Sequence, residues 1–451
     1  MKKVITYGSF DLFHEGHYLL LQRAKMLGDY LIVGVTTEQY DEARGKLNVV
    51  DSLMERIENV KRTGFADEII VEDHVGQKVE DIQKYGVDIF TVGSDWRGSF
   101  DYLKDFCEVV YLERTRGVSS TMMRSKKRAI IRLGIIGSGR IANRFVKEAE
   151  RVSGSSLVGV YNPHIRSAKS FSDKHDLEFY TDDMKDFMMR VDAVYIASPH
   201  ETHYDYARQS LEQGKHVLCE KPMTLNKAEA EELFALAEER NLILMEAIKT
   251  AYCPGFVQMM GIARSGIIGN IRDVEACFSR LTPQGKRETA DTVYGGSFTE
   301  FGSYTLLPIL KLFGTDYKEI RFDSIYDDNG LDMYTKATLV YEKGFAASKT
   351  GLGVKSEGQL VIAGTKGYIL AESPWWLTKT FEIRYENPNK RERYNVNFLG
   401  GGLRYEVSDF IYMINEHEGR QFKMLPAESI AMAEIMERFL EQRTNGGKKL
   451  S

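Results

Sequence analysis

The chain twice repeats the order of short apolar strand, glycine-containing turn and amphipathic helix, and this order constrains its fold more than any other feature. The first copy runs from VITY (4–7) into GSFDLFHEGH (8–17), and the second from RLGII (132–136) into GSGRIA (137–142). Strands that alternate with helices predict parallel α/β sheets. The chain has 451 residues, which is too long for one ordinary core, so we expect several domains.

The first α/β unit occupies the N-terminal part of the chain. Helical spacing predicts helices near 17–28 and 52–63. Short apolar runs predict strands at 4–7, 30–35, 68–71, 88–93 and 108–112. The pattern ends at the basic stretch RSKKR (124–128), and a run of like charges is typical of a solvated linker. We therefore place a first domain at residues 1–128.

The second unit begins near Ile131 and shows the same alternation of predicted strands and helices. Its turn is followed by a predicted helix at 140–151, and further strands are predicted at 193–198, 216–220 and 242–247. We place this α/β domain at residues 129–250. Beyond about residue 270 apolar and polar residues alternate, as in VEACFSRL (274–281), and the tail is helical at 427–443. Alternation predicts a mainly antiparallel open sheet, so residues 251–451 are expected to form an α+β domain.

Composition and charge argue against several classes of protein. The net charge of −5 gives no general affinity for nucleic acid. No apolar run is long enough for a membrane span, and MKK leads into polar residues rather than a signal sequence, so we expect a cytoplasmic protein. The four cysteines show neither a CxxC pair nor metal-ligand spacing, which predicts reduced thiols and no metal site built from protein ligands. They are Cys107, Cys219, Cys253 and Cys277.

The first glycine turn carries two histidines, His14 and His17, at the start of a predicted helix. Gly8, Ser9 and Gly16 allow a phosphate to approach the backbone closely, and the helix directs its first amides at an anion. Imidazoles placed there can donate hydrogen bonds to a phosphate as negative charge builds on it. The alternative is two ordinary polar residues on a turn.

Three segments of the first domain resemble the cytidylyltransferase family, and among its members the enzymes that act on glycerol 3-phosphate. They are 5–35, 87–112 and 110–124, and the last contains ERTRGVSST, which resembles the family's R-T-x-G signature. The resemblance implies a nucleotidyltransferase in which a phosphomonoester attacks the α-phosphate of CTP and pyrophosphate leaves, with Mg²⁺ held mainly by phosphate oxygens. It implies catalytic roles for His14, His17, Lys46 and Arg114. The implied CTP-binding residues are Gly8, Ser9, Phe10, His14, His17, Lys46, Asp95, Arg114, Thr115, Gly117, Ser119, Ser120 and Thr121.

The acceptor side departs from the family pattern. Arg44 stands where the family has a lysine, and in VEDHVGQKVEDI (71–82) His74 and Gln77 replace a tryptophan and a lysine. The resemblance implies that Arg44, Gln77 and Lys78 face the acceptor. The departures favour an acceptor longer than glycerol 3-phosphate.

The second glycine turn has the spacing of a dinucleotide-binding fingerprint, Gly137-x-Gly139-x-x-Ala142, between a strand and a helix. At the end of the next strand, YNPHIR (161–166), no acidic residue is present to bind a ribose 2′-hydroxyl. His164 or Arg166 can face a 2′-phosphate instead, which favours NADP(H) over NAD(H). The alternative is that both are surface residues.

Three further segments resemble the Gfo/Idh/MocA oxidoreductases: SPHETHYDYA (198–207), HVLCEKPMTLNKAEAEEL (216–233) and GGSFTEFGSYTLLPI (295–309). The resemblance covers about 131–445. It implies that Lys221 lies beside the nicotinamide and that Pro222 fixes the local backbone. Tyr304 is the implied proton donor and Glu300 its orienting carboxylate, with an ordinary core aromatic as the alternative for Tyr304. The implied cofactor-binding residues are Gly137, Ser138, Gly139, Arg140, Ile141, Asn162, Arg166, Ser198, Pro199, His203, Glu220 and Lys221.

Two positions in the C-terminal part remain open. Lys249 stands where relatives often carry another large side chain, and it either holds a substrate phosphate or is simply exposed. Trp375 and Trp376 are expected to be packing residues rather than site residues. By the resemblance, the C-terminal domain binds substrate and supports a homo-oligomer.

Taken together, the two resemblances predict a fused bifunctional enzyme. Its C-terminal part would reduce a ketose phosphate with NAD(P)H, and its N-terminal part would join the resulting polyol phosphate to CMP, for capsule or teichoic-acid-like glycans. Fructose 6-phosphate, ribulose 5-phosphate and dihydroxyacetone phosphate are candidate ketoses. The alternatives are a cytidylyltransferase with a non-catalytic nucleotide-sensing module, or two activities on unrelated substrates.

Overall fold

The computed structural model describes residues 1–11, 13–37, 40–41, 51, 53–74, 76–113, 130–396, 398–415 and 423–444. By their internal contacts these fall into two compact units, Met1–Gly134 with Phe145–Val191, and Ile135–Arg144 with Asp192–Ser451. No described helix is both long and apolar enough to cross a membrane.

A five-stranded parallel sheet forms the N-terminal part. Its elements are β1 (Lys3–Gly8), α1 (Glu15–Lys25), β2 (Tyr30–Thr36), α2 (Leu53–Arg62), β3 (Glu68–Glu72), α3 (Gln77–Tyr85), β4 (Ile89–Gly93) and β5 (Glu108–Leu112). The strand order is β3-β2-β1-β4-β5, with every neighbouring pair parallel. The order reverses between β1 and β4, and ligands of such sheets bind at the carboxyl ends of the strands beside this point.

Strand alternation divides the core of this part between the two faces of the sheet. On one face Val4 and Val33 pack with Leu21 of α1 and Val60 of α2. On the other face Ile5, Ile32 and Phe90 pack with Ile82 of α3. Because successive side chains of a strand point to opposite faces, near-continuous apolar strands such as YLIVGV need helices on both sides.

A second sheet follows later in the chain. Its elements are β6 (Ile131–Ile136), α4 (Arg140–Ala149), β7 (Ser155–Tyr161), α5 (Ile165–His175), β8 (Phe179–Thr181), α6 (Met184–Met189), β9 (Ala193–Ile196), α7 (His203–Glu212), β10 (His216–Glu220), α8 (Lys227–Glu239) and β11 (Leu244–Ala247). The strand order is β11-β10-β9-β6-β7-β8. This order is that of a dinucleotide-binding fold, with the reversal between β6 and β9.

An eight-stranded sheet dominates the C-terminal part. Its elements are α9 (Pro254–Arg264), β12 (Ile271–Ser279), α10 (Arg287–Ala290), α11 (Ser297–Phe313), β13 (Glu319–Tyr326), β14 (Asp332–Tyr341), β15 (Gly344–Gly351), β16 (Leu360–Gly364), β17 (Tyr368–Ala371), β18 (Thr380–Arg384), β19 (Arg391–Asn395), α12 (Leu403–Asn415) and α13 (Pro426–Thr444). The strand order is β13-β14-β15-β12-β16-β17-β18-β19. All neighbouring pairs are antiparallel except β12 and β15, which run parallel.

The predicted fold class is therefore confirmed. α11 lies against the third sheet, where Thr305 Oγ1 is 2.6 Å from Ser348 Oγ and Ser297 Oγ is 2.9 Å from Thr350 Oγ1. These buried hydroxyl pairs fix the rotation of α11. That rotation decides which of its side chains face the second candidate site.

Candidate active sites

The histidine turn lies at the point where the order of the first sheet reverses. His14 precedes α1, and its Nδ1 accepts a hydrogen bond from the backbone N–H of Gly16 at 3.0 Å. A neutral ring that accepts at Nδ1 carries its proton on Nε2 and can donate it there. The His14 and His17 rings are stacked with their centroids 3.9 Å apart, and both are half-buried. The turn therefore places two imidazoles side by side at a helix N-terminus, as the chemistry of a phosphate site requires.

The side chain of Phe10 packs against this turn from the core side. It has a φ of 51°, in the left-handed region, and its side chain is 1% exposed. A Cβ added at Gly8 would lie 3.1 Å from the Phe10 ring, and the His17 ring meets Phe10 edge-on at 5.5 Å. The aromatic ring is thus part of the core, which leaves only the Phe10 backbone for contact with a nucleotide.

Arg56 is a residue that sequence reasoning missed. It is fully buried on α2 and donates to the carbonyl oxygens of Ser9 (2.9 Å), Thr36 (2.8 Å) and Asp51 (3.0 Å). Its guanidinium also lies 3.5 Å from the Asp41 carboxylate. One side chain therefore ties the histidine turn to the end of β2. The signal in the sequence is an arginine on the apolar face of LMERIENVKR (53–62).

The predicted acceptor residues Gln77 and Lys78 are engaged by the protein itself. Gln77 accepts from Asp73 N at 2.9 Å and donates to Val71 O at 2.7 Å. The Lys78 amine pairs with Glu72 and lies 4.4 Å from the Tyr7 ring centroid. These contacts hold the end of β3, so they fit a positioning role better than direct binding of a phosphate.

The remaining predicted nucleotide residues are only partly covered. Asp95 lies in the 3₁₀ turn Ser94–Trp96 that follows β4, the strand next to β1. Eight predicted residues fall outside the described residues: Arg44, Lys46, Arg114, Thr115, Gly117, Ser119, Ser120 and Thr121.

The second glycine turn has the geometry that its sequence predicts. Gly137 has a φ of 101°, and a Cβ there would lie 2.7 Å from Ala197 O at the end of the neighbouring strand β9. A Cβ at Gly139, in contrast, would meet no heavy atom within 4 Å. Gly139 therefore leaves open space where α4 begins, which fits a pyrophosphate beside the helix N-terminus. Ser138 and Ile141 border this space, and Arg140 donates to the Glu288 carboxylate at 2.9 Å.

Asn162 follows the carboxyl end of β7, and Arg166 lies in the first turn of α5. The Asn162 side chain accepts from His164 N at 2.9 Å, which shapes the turn into α5. The side chains of His164 and Arg166 are exposed, and Arg166 makes no hydrogen bond or ion pair with any described residue. The side chain of Arg166 is thus available to an anionic ligand.

Lys221 is held between two elements. It follows β10, and its amine donates to Glu300 O on α11 at 3.0 Å and lies 3.7 Å from the Glu300 carboxylate. The Tyr304 ring, one turn along α11, is centred 5.6 Å from the same nitrogen. The Lys221–Pro222 peptide bond is cis. The lysine, the carboxylate and the tyrosine of the sequence prediction are thus brought together.

The environment of Tyr304 keeps its hydroxyl in the protonated form. Burial, followed by the nearby carboxylates of Glu220 and Glu406, holds the pKa of Tyr304 well above its ordinary value, so the group stays protonated at neutral pH. Its ring packs beside Phe278, which stacks on Phe301 and Trp376. The contacts of the Glu300 carboxylate, however, are with Lys221 and Arg287 rather than with Tyr304.

His200 and Arg287 join this cluster and were not predicted. Arg287 Nη2 lies 3.2 Å from the Glu300 carboxylate and 3.2 Å from His200 Nε2. Burial, and then the charges of Lys221 and Arg287, hold the pKa of His200 well below its ordinary value. His200 is therefore neutral, and the tautomer that accepts from Arg287 carries its proton on Nδ1. The motif SPHETH contained this histidine, but no local pattern linked it to an arginine 87 residues away.

A buried histidine connects two strand ends below the site. His203 Nδ1 lies 2.8 Å from Pro222 O, and its Nε2 lies 2.9 Å from Ser198 O. Burial lowers the pKa of His203 to about 4. Glu220 is likewise buried, which raises its pKa, and accepts from Tyr195 Oη at 2.5 Å. Ser198, His203 and Glu220 thus pack beneath Lys221 and support it. Pro199 is exposed beside them.

The residues left open by the sequence have clear positions. Trp375 is 1% exposed and donates to Cys277 O at 2.8 Å, and Trp376 stacks on Phe278 with centroids 3.7 Å apart. Both tryptophans are packing residues. Lys249 is half-buried in the 3₁₀ turn Lys249–Tyr252 after β11 and donates to Gly401 O at 3.2 Å.

Comparison with known proteins finds family matches for both the N-terminal and the C-terminal part of the chain. Residues 5–127 match the family described as "Cytidylyltransferase-like", residues 131–248 match "Oxidoreductase family, NAD-binding Rossmann fold", and residues 256–370 match "GFO/IDH/MocA C-terminal domain". The glycerol-3-phosphate cytidylyltransferase of Bacillus spizizenii is 49% identical over 124 residues, which is 28% of this chain and 95% of that protein.

The part of the chain beyond the cytidylyltransferase-like segment is similar to a different set of proteins. The scyllo-inositol 2-dehydrogenase (NADP(+)) IolU of Bacillus subtilis is 28% identical over 324 residues, covering 69% of this chain and 97% of that protein. A crystal structure of KijD10, a 3-ketoreductase from Actinomadura kijaniata with NADP and TDP-benzene, superimposes with a TM-score of 0.60 at 24% identity, over 68% of this chain and 96% of that one. This structural likeness shows a shared fold.

The chain therefore belongs to two enzyme families at once, because an N-terminal domain of the cytidylyltransferase-like family is fused to the NAD-binding and C-terminal domains of the GFO/IDH/MocA oxidoreductase family.

Proposed function

We propose that the two halves catalyse consecutive steps that end in a CDP-polyol. The oxidoreductase half reduces a ketose phosphate to a polyol phosphate, and the cytidylyltransferase half joins that product to CMP from CTP and releases pyrophosphate. The fusion itself supports a bifunctional activity of the CDP-sugar or CDP-polyol type. The product would serve as a donor for capsule or teichoic-acid-like glycans.

The observation that carries the reductase is the juxtaposition of the Lys221 amine, the Glu300 carboxylate and the protonated Tyr304 hydroxyl. When bound, NAD(P)H supplies the hydride. Lys221 donates to the substrate carbonyl oxygen and draws electron density toward it. Tyr304 supplies the proton as that oxygen becomes an alcohol. Glu300 and Arg287 keep the lysine side chain extended toward the substrate.

The cofactor residues of the sequence prediction fit a dinucleotide. Gly139 leaves the space that a pyrophosphate needs at the start of α4, and Gly137 permits the tight turn before it. We propose NADP(H) rather than NAD(H), because Arg166 is exposed and lacks a partner among the described residues, at the end of the strand where a 2′-phosphate is bound in such folds. The IolU relative is named for NADP(+).

The cytidylyltransferase half needs positioning and charge neutralisation rather than a covalent intermediate. We propose that His14 and His17 donate to the phosphates of CTP as pyrophosphate leaves, with Mg²⁺ entering as part of the CTP complex. The resemblance adds Lys46 and Arg114 as further cations. The altered acceptor stretch, in which Gln77 and Lys78 are engaged internally, supports a polyol phosphate other than glycerol 3-phosphate. We also propose a homo-oligomer, by likeness to both families.

The test is to incubate the full-length protein with CTP, Mg²⁺, NADPH and each of three ketose phosphates: dihydroxyacetone phosphate, ribulose 5-phosphate and fructose 6-phosphate. Mass spectrometry then identifies the products. We expect one ketose phosphate to give a CDP-polyol only when both NADPH and CTP are present. Formation of a CDP-polyol only from preformed polyol phosphate, with no NADPH consumed, would contradict the reductase step.

Lys221→Ala separates this proposal from a nucleotide-sensing module. The variant should lose NADPH oxidation by about 10²-fold or more, since general acid–base groups contribute about 10²–10⁴ in rate. Cytidylyl transfer to a preformed polyol phosphate should remain as in the wild type. Unchanged NADPH oxidation in this variant would favour the sensing module.

A further inference from the structure

Two cations near the reductase site make no ion pair with a carboxylate of the described residues. Lys249 is half-buried, and its amine donates to Gly401 O at 3.2 Å. Its aliphatic stem packs beside Gly402, where an added Cβ would lie 3.7 Å from Lys249 Cδ. Among the described residues no carboxylate lies within 4.0 Å of the Lys249 amine. Buried lysines are otherwise almost always paired, and here Glu406 and Glu220 act on the Lys249 charge only from beyond ion-pair distance, so an anion could still bind next to the amine.

Arg144 is the second cation, and it lies next to Gly401. It projects from α4, is exposed, and makes no hydrogen bond or ion pair with any described residue. A Cβ added at Gly401 would lie 3.6 Å from Arg144 Nη2. Burial, and then the charge of Arg144, lower the pKa of Lys249. The two cations therefore face each other across Gly401 and destabilise each other in the absence of an anion.

A loop of three glycines lies between the two cations. It consists of Gly400, Gly401 and Gly402, with φ values of 63° and 89° at the first and the third. Glycine adopts such angles without strain. A Cβ added at Gly401 would come within 4 Å of Arg144 Nη2 and of no other heavy atom of the described residues, so there is space beside the arginine at this position. Glu406 and Glu220 raise the pKa of Lys249 from a distance, but neither forms an ion pair with it. A loop of this kind, flanked by lysine and arginine, suits a phosphate group.

Electrostatics relate this pair to the reacting groups. The charge of Arg144 lowers the pKa of Tyr304, opposing the larger effect of burial, and Glu220, which precedes Lys221, acts on Lys249. In the second sheet Glu220 of β10 lies opposite Ala247 of the parallel strand β11, so Lys221 and Lys249 both follow the carboxyl ends of neighbouring strands. Lys249 is therefore on the edge of the sheet that carries Lys221, and Arg144 reaches the same edge beside Gly401.

We propose that Arg144 and Lys249 form an anion subsite that binds the phosphate group of the substrate reduced beside Lys221 and Tyr304. This inference rests on the proposed function, because it assigns the phosphate of the ketose phosphate to named residues. It also makes the reductase specific for phosphorylated ketoses. A neutral ketose would leave both cations without a partner, whereas a phosphate neutralises them.

The test compares each ketose phosphate with its unphosphorylated ketose, using NADPH oxidation by the full-length protein at saturating NADPH. For the wild type we expect kcat/KM to be higher for the phosphorylated form. In Arg144→Ala and Lys249→Ala this preference should fall by about 10- to 100-fold, since a charge-assisted contact contributes about 1.5–3 kcal/mol. The effect should lie mainly in KM, and Lys249→Arg should restore most of it.

The matched control is Arg208→Ala, which removes an exposed arginine of α7 that pairs with Glu212 and Glu232. It should leave the preference unchanged. A preference that survives in Arg144→Ala and Lys249→Ala would overturn the subsite while leaving the proposed function intact. A wild type with equal kcat/KM for both forms would also overturn it.

A failure of the proposed function gives a different result. If no ketose phosphate is reduced, that function is wrong, and orthophosphate then tests the subsite directly. Orthophosphate should change the fluorescence of enzyme-bound NADPH in the wild type and in Arg208→Ala but not in Arg144→Ala. Absence of this difference would overturn the subsite as well. A rise in the KM for NADPH alone in Arg144→Ala would assign the arginine to the cofactor instead.

Discussion

At the scale of single residues, the candidate sites depend on buried charges whose partners are distant in the sequence. Arg56 contacts Ser9 across 47 residues and Thr36 across 20. Lys221 contacts Glu300 across 79. Each contact gives a buried polar side chain a partner, because burying such a group without one would destabilise the folded state.

Arg56→Met is expected to destabilise the N-terminal domain by about 3–5 kcal/mol, because it leaves the buried Asp41 carboxylate without its cation. Chemical unfolding followed by loss of cytidylyltransferase activity measures the change. Arg62→Met on the same helix is the matched control, since Arg62 is 72% exposed and only weakly paired with Glu58. Equal shifts of the unfolding midpoint in the two variants would contradict the positioning role of Arg56.

Tyr304→Phe is expected to lower kcat of the reductase by about 10²-fold or more, because it removes the proton donor without opening a cavity. The KM for NADPH should stay near that of the wild type. Steady-state NADPH oxidation makes the measurement, with Tyr412→Phe at an exposed tyrosine as control. If Tyr304→Phe kept the kcat of the wild type, Tyr304 would be an ordinary core aromatic and not the proton donor.

At the scale of elements, the ends of adjacent strands carry the chemistry. Gly137→Ala is expected to raise the KM for NADPH by more than tenfold and to lower the melting temperature. The reason is that the added Cβ would meet Ala197 O at 2.7 Å, at a φ of 101°. Gly214→Ala is the matched control, since its φ is 72° but no atom lies within 4 Å of the added Cβ. Equal effects in both variants would show that backbone strain alone matters at Gly137.

The His203 contact between the ends of β9 and β10 predicts a pH dependence of stability. Its pKa in the folded protein is about 4, below the ordinary 6.5, so the unfolded chain binds more protons between these values. The free energy of unfolding should therefore be highest above pH 6.5 and decrease as the pH falls toward 4. The contribution of this group is at most about 3 kcal/mol.

Urea unfolding at several pH values, followed by reductase activity or near-ultraviolet circular dichroism, tests this dependence. His203→Gln should be less stable above pH 6.5 but should lose less stability on acidification than the wild type. Parallel pH profiles for the two proteins would show that His203 is not the group responsible.

At the scale of the whole molecule, the proposal requires that the product of one site reach the other. His17→Ala should lack cytidylyl transfer, and Lys221→Ala should lack reduction. An equimolar mixture of the two variants should regain synthesis of the CDP-polyol from ketose phosphate, CTP and NADPH if the polyol phosphate diffuses freely. Mass spectrometry of the mixture against each variant alone makes the test. No regain of product would show that the intermediate is not exchanged between molecules.

The architecture was predictable because its signals are local. The apolar runs that predicted strands at 4–7, 30–35 and 108–112 become β1, β2 and β5 within a residue or two at each end. The parallel pairing of β12 with β15 was not predicted, because side chains alternate in the same way in parallel and antiparallel strands. Strand direction is decided by how the chain returns to the sheet.

The sequence by itself determined the two α/β units, their order, and the motifs that contain His14, His17, Lys221 and Tyr304, because spacing and glycine content act locally. Tertiary structure alone decided what surrounds them. It paired Glu300 with Lys221 and Arg287 rather than with Tyr304, and it brought Arg144 to the same glycine as Lys249. Such contacts depend on how helices pack across the sheets, and no sequence window contains both partners.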